Sequence, residues 1–379
     1  MFSRRGAFDL TPNAIARAVQ ATPPDWDLSC SNPTNAGIAF SDEALEALRV
    51  VSPARYEPNP RGIGSARRAL GEQLGWNPGH LVLTATTSEA YSSLMKLFCD
   101  PGDHVLIPEP SYPLLPLLAR LEGVVASPYP FRYDGQWHID RLAFLDRMES
   151  RVKLIVAVSP NNPTGAFLSA DDLTFLASHG VPVILDEVFA SYDLRRERPV
   201  SLRHSQAGSG LLFALGGLSK GAALPQLKLS WIAVSGSNSL VQRALEQLDV
   251  ITDTYLSVNE LTQRALGPLL AASEERRRLV FERLKQNHRS LCELLRHAPA
   301  ISALPPEGGW YQVLRLPNVL SEQEWVLGFL GRGVLVQPGW FYDFADEAWV
   351  VVSLLTESDV FNEGMRRIVD FVASADAMR

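Results

Sequence analysis

The sequence predicts an α/β protein: a mostly parallel, doubly wound sheet in a large domain, with a smaller α+β domain beside it. Two observations carry the large domain. Between about residues 80 and 235, short apolar runs alternate with amphipathic helical stretches, an alternation that builds a parallel sheet with helices on both faces. Several of the runs are almost wholly aliphatic, which suits strands covered on both sides. The smaller domain follows from a change of character after Ser237, where two long helical stretches give way to short strands interleaved with helices.

In chain order, strands are predicted at His80–Thr84, His104–Ile107, Val124–Ser127, Lys153–Val158, Val181–Asp186, Leu211–Leu215 and Leu229–Val234. Ser88–Phe98 reads as a helix ended by Asp100-Pro101-Gly102, and Ser169, with Asp171 and Asp172 behind it, caps a helix to Ala177. The charged stretch Ser273–His297 crosses between the domains. A strand at Trp310–Leu316, a helix at Ser321–Leu330, strands at Val334–Gln337 and Ala348–Leu354, and a helix from Ser358 complete the chain. The N-terminal segment holds too little to fold alone and joins the small domain. The expected division is therefore 46–268 for the large domain and 1–45 plus 269–379 for the small one.

A length of 379 residues is ample for such a pair of domains. The net charge of −7 argues against nucleic acid or an anionic membrane as the main partner. Cys30, Cys99 and Cys292 are scattered and odd in number, so no disulfide framework is expected and a reducing cytoplasm is the expected home. No apolar run reaches membrane-spanning length, and the first residues lack a signal-peptide core. The histidines show no ligand-like spacing, so no metal site is expected.

In a sheet of this kind ligands bind outside the carboxyl ends of the strands. Thr84-Ala85-Thr86-Thr87-Ser88 passes from a strand into a helix; it is either a simple N-cap or a phosphate site built on free amides, hydroxyls and the helix dipole. Tyr112, held between Pro110-Ser111 and Pro113, packs within its loop or stacks on a planar ring. Ser159-Pro160-Asn161-Asn162-Pro163-Thr164-Gly165 is a turn, or offers Asn162 as a donor to a ligand oxygen. Asp186 closes an apolar strand and needs a partner, either a cationic ligand nitrogen or an arginine. Lys220, among Gly216, Gly217, Gly221 and Ala222, is a solvated loop lysine or a desolvated amine able to attack a carbonyl.

The order of these stretches is more specific than any one of them. In that order the chain resembles the fold-type I pyridoxal-phosphate enzymes, and among them the class I/II aminotransferases, from Ser31-Asn32-Pro33 to the last helix. Asn161-Asn162-Pro163-Thr164-Gly165, Asp186-Glu187-Val188 and Leu218-Ser219-Lys220 match, as do Asp100-Pro101-Gly102-Asp103 and Pro110-Ser111-Tyr112-Pro113. Tyr56-Glu57-Pro58-Asn59-Pro60-Arg61-Gly62 with Arg67 is similar to the family's Tyr-Pro-x-x-Gly…Arg segment. The resemblance implies pyridoxal 5'-phosphate as cofactor. Lys220 would hold it as an imine and later shuttle a proton; Asp186 would keep its ring nitrogen protonated. Asn162 would donate to the ring oxygen, Tyr112 would stack on its face, and Thr86, Thr87, Ser88 and Lys228 would bind its phosphate. Tyr56 would reach the phosphate of a neighbouring subunit, which implies a homodimer. The implied reaction moves an amino group from a small-molecule donor to a 2-oxo acid.

The chain departs from the family at several of these places. Phe189 stands where a tyrosine is usual three residues after the aspartate, which removes a donor to the ring oxygen. Gly217 replaces a serine three residues before the lysine, and Lys228 replaces an arginine eight residues after it; lysine supplies charge without arginine's fork. Val351 occupies the place of the arginine that grips the substrate's α-carboxylate. Either another group takes the carboxylate, with Asn32, Arg61, Gln337 and Tyr342 as candidates, or the substrate lacks one. Alternatives to transamination are another reaction of the same cofactor, such as a β-lyase, decarboxylase or synthase, and a catalytically silent scaffold.

Overall fold

The structure is a computed structural model that describes residues 2–49, 56, 58–200, 210–345 and 348–376; Glu57 of the Tyr56–Gly62 segment lies outside them. The main sheet has strands β1 (Leu81–Thr84), β2 (His104–Glu109), β3 (Val125–Tyr133), β4 (Trp137–Ile139), β5 (Val152–Val158), β6 (Val183–Asp186), β7 (Leu212–Gly217) and β8 (Ser230–Ser235). They lie in the order β1-β8-β7-β6-β5-β2-β3-β4. The block from β7 to β3 is parallel. β8 runs antiparallel to both neighbours, and β4 closes the far edge as a hairpin with β3.

The central strands read as continuous apolar runs because both faces are covered. Ile155, Ala157, Val183, Leu185, Leu212 and Ala214 enter one core, while Leu154, Val156, Val158, Ile184, Phe213 and Leu215 enter the other. At the edge the sequence reading falls short: β3 continues past Ser127 through Pro128 and Pro130, and β4 follows after a turn at Gly135. Both prolines precede Phe131–Tyr133, the part of β3 that pairs with β4, and a missing N–H is tolerated at such an edge.

The small sheet is antiparallel throughout, in the order Ser302–Leu304, Tyr311–Arg315, Trp349–Ser353, Gln337–Pro338. The single strand predicted at Val334–Gln337 is divided. Val334–Leu335 pairs in parallel with Trp26–Asp27 from the N-terminal segment, and Gln337–Pro338 pairs with Trp349–Ser353. The run serves two sheets because the N-terminal segment takes its first half.

The helix Leu266–Leu295, 30 residues long, starts earlier than the predicted Ser273. Pro268 does not prevent this, since it falls in the first turn where an N–H has no helical partner to lose. Leu266, Leu269 and Leu270 enter the main-sheet core, whereas Val280, Phe281, Leu284 and Leu291 enter the core around the small sheet. One rod thus fixes the two cores relative to each other.

Candidate active site

The carboxyl ends of β1, β5, β6 and β7 open on one side into a cavity of about 310 Å³. Lys220, Asp186, Asn162, Tyr112, Lys228 and the helix start Thr86–Ser88 all line it. The structure therefore brings together residues spread over more than a hundred positions of sequence.

Asp186 ends β6 between Val158 of β5 and Leu215 of β7. Its buried carboxylate accepts from Tyr91 Oη at 2.8 Å and from Val188 N at 3.0 Å. Such bonds offset the several kcal/mol that an unpaired buried charge costs. Burial first, and the Asp186 charge second, push the Tyr91 phenol well above its usual pKa, so it remains a donor.

β7 passes directly into a single helical turn, Leu218–Gly221, that carries Lys220. Tyr192 Oη donates to the Lys220 carbonyl at 2.9 Å and fixes this turn. Lys220 Nζ lies 4.8 Å from the centre of the Trp310 ring and 5.7 Å from that of Phe189, and it donates to Ser31 O at 3.4 Å. Burial lowers its pKa from 10.5 to about 8; the Cys30 thiol opposes that shift and Lys228 adds to it. A lysine so placed reaches its nucleophilic, neutral form far more readily than an exposed one.

Asn162 follows β5 and is buried, and its Oδ1 has no hydrogen-bond partner among the described residues. An unpaired buried acceptor costs about 1–3 kcal/mol, so this carboxamide calls for a donor that the described residues do not supply. The neighbouring Asn161 is structural: it donates to Pro110 O at 3.3 Å and accepts from Thr164 Oγ1 at 3.0 Å. At the helix Thr87–Phe98 the N-cap reading is the one the structure shows. The Thr86 hydroxyl is an N-cap, accepting from Glu89 N at 3.1 Å, and the first-turn amides of Thr87 and Ser88 have no helical partner.

Other expected residues lie elsewhere. Tyr56 is 69% exposed and lines a separate depression with Pro58, Asn59 and Leu256. Arg61 is taken by Asp249, to which Nε and Nη2 donate at 2.5 and 2.6 Å, and by Gly79 O at 3.1 Å. Asn32 is spent in a turn: its Oδ1 accepts from Thr34 N and Oγ1 at 3.1 and 2.8 Å, and Ser31 lines the cavity instead. Tyr342 is buried, its hydroxyl donating to Gln337 Oε1 and its carbonyl accepting from Ser111 N at 3.0 Å. Val351 is fully buried, in register between Val313 and Gln337. Sequence reasoning missed Tyr91, Ser230 and Tyr311, which line the cavity, and Trp310 beneath the lysine. Only Tyr91 left a signal, since it follows Thr87 and Ser88 at the helical spacing that shares a face.

A lysine of lowered basicity at one strand end, beside a buried and hydrogen-bonded carboxylate at the next, is a site for carbonyl chemistry on an amine. The chain belongs to the aminotransferase class I and II family, whose profile matches residues 29–368. Among its relatives, the alanine aminotransferase of Mycobacterium tuberculosis is 27% identical over 331 residues, covering 82% of this chain and 77% of that protein. The glutamate-pyruvate aminotransferase AlaA of Haemophilus influenzae is 25% identical over 322 residues, covering 80% and 79%. In fold, the structure is similar to an alanine aminotransferase from Pyrococcus furiosus, with a TM-score of 0.86, 21% identity and coverage of 99% and 100%. It is also similar to a mutant aspartate aminotransferase of Thermus thermophilus, with a TM-score of 0.82, 21% identity and coverage of 98% and 99%.

Proposed function

We propose that the protein holds pyridoxal 5'-phosphate in this cavity and transfers an amino group from an amino acid or amine to a 2-oxo acid. The observation that carries the reading is the meeting of Lys220 and Asp186 at the ends of neighbouring strands in one cavity. The residues fit the cofactor. Asn162 offers a buried carboxamide in the cavity lining, Asp186 a buried anion, and the Thr87–Phe98 helix start its amides to a phosphate.

When bound, the cofactor supplies a ring that withdraws electrons from the donor's α-carbon bond. The protein's residues do the rest. Lys220 Nζ would hold the cofactor and, once freed, would move the proton at the donor's α-carbon. Asp186 would hold positive charge on the ring nitrogen, with Tyr91 steadying the carboxylate. Asn162 would donate to the ring oxygen through its amide nitrogen, and Tyr112 would cover the ring face. Lys228 would add positive charge beside the phosphate.

The relatives' names point to alanine or glutamate as donors. Val351, fully buried in register between Val313 and Gln337, favours a donor whose carboxylate is not gripped by this strand, or that lacks one. A second copy of the chain belongs to the proposal, since Tyr56 is largely exposed and away from its own cavity. Cytoplasmic residence is likewise proposed, and the free thiols Cys30, Cys99 and Cys292 suit it. The test is a half-reaction screen that includes amines without an α-carboxylate. Conversion of bound cofactor to pyridoxamine phosphate supports transfer; release of ammonia and pyruvate without it would favour a lyase.

A further inference from the structure

Gly217 departs from the family pattern by lacking a side chain, and the structure shows what stands in its space. Gly217 ends β7 and pairs directly with Ser230 at the start of β8, and Ser230 pairs on its other side with Thr84 at the end of β1. Residues directly opposite each other across antiparallel strands place their side chains on the same face. A Cβ built on Gly217 would meet Ser230 Oγ at 2.4 Å and Ser230 Cβ at 3.2 Å. The space for a side chain at position 217 is thus already filled by the Ser230 hydroxyl. Gly217 itself has an extended backbone, with φ of −174°, so conformational freedom does not explain the glycine. Occupied space does.

Ser230 is 3% exposed and lines the cavity together with Thr86, Thr87, Ser88, Gly217 and Lys228. Its strand partner Thr84 donates its own hydroxyl to Thr86 O at 3.1 Å, within the loop that leads into the helix start. The Ser230 hydroxyl therefore stands at the base of the phosphate end of the cavity, on the side opened by the missing residue 217 side chain.

We infer that Ser230 supplies from β8 the hydroxyl that position 217 does not, and that it donates a hydrogen bond to the cofactor's phosphate. The inference rests on the cofactor reading given above. The two positions act as one slot that admits a single side chain: serine at 230 requires glycine at 217. With Lys228 in place of arginine, the phosphate is held by a point charge, the helix amides and this hydroxyl, rather than by a guanidinium fork.

The test is equilibrium binding to cofactor-free protein, read by absorbance, with pyridoxal 5'-phosphate and phosphate-free pyridoxal as separate probes. Ser230→Ala is expected to weaken pyridoxal phosphate about ten- to a hundredfold, the range for a hydrogen bond to a charged group, and to leave pyridoxal unchanged. Gly217→Ser combined with Ser230→Gly, which removes both the Oγ and the Cβ that crowd position 217, is expected to restore most of the loss, because the hydroxyl returns from the other strand. Unchanged phosphate affinity in Ser230→Ala would overturn the inference, as would an equal loss for both probes or a failed rescue in a double variant that unfolds at the wild-type temperature. Wild-type protein that binds neither probe would overturn the cofactor reading itself and this inference with it.

Discussion

Lys220 should titrate near pH 8 in the cofactor-free protein, and the consequence for its reactivity can be worked through. Burial penalises the charged ammonium, so the pKa falls from 10.5 to about 8. At pH 7 an ordinary lysine is neutral in roughly one molecule in three thousand, whereas at a pKa of about 8 the fraction is roughly a tenth. That is a gain of roughly 300-fold in free amine. Because the shift is downward, the neutral form gains as pH rises through 8, and the gain over an ordinary lysine disappears above pH 10.5. The assay is competitive acylation with acetic anhydride across pH 6–11, with the Lys220 peptide quantified by mass spectrometry against an exposed lysine. An inflection near pH 8 is expected. An inflection at the exposed lysine's pH would show that the pocket of Trp310, Phe189 and Ser31 does not desolvate the amine and would refute the reasoning.

The other expectations follow from neighbouring contacts. Asp186→Asn removes the buried charge and should lower the half-reaction rate by about a hundredfold or more, while Tyr91→Phe, losing one hydrogen bond to that carboxylate, should cost about tenfold; stopped-flow absorbance with a saturating donor reads both. Phe189→Tyr restores a phenol beside the cavity, so the bound cofactor's absorbance should titrate at lower pH than in the wild type, and a spectral titration checks the direction. Gly165→Ala should destabilise the fold by about 2 kcal/mol or more, measured by urea unfolding, because Gly165 has φ of +74° and a Cβ there would sit 2.6 Å from Gly308 O.

Much of the site was legible because its residues follow strands that announce themselves. Asp186 stands out as a carboxylate closing an apolar run, and Lys220 as a lysine among small residues after another such run. Asn162 and the Thr86–Ser88 helix start carry local turn and cap chemistry that survives in one dimension. Residues that depend on pairing did not show. Ser230 is an ordinary serine until β8 sets it opposite Gly217, and Trp310 reaches Lys220 only when the small domain docks. The pairing of Arg61 was hidden for the same reason, since its partner Asp249 lies 188 positions away. Strand limits slipped where one run serves two sheets, at Val334–Pro338, and where prolines mask an edge strand, at Val125–Tyr133.

The measurement closest to the central claim is reductive trapping with borohydride after loading with pyridoxal 5'-phosphate, followed by peptide mass spectrometry with and without prior exposure to an amino donor. The account predicts a pyridoxyl-phosphate label on Lys220 alone, lost when a donor has first converted the cofactor to free pyridoxamine phosphate. A label on another lysine, or none on Lys220, would contradict it.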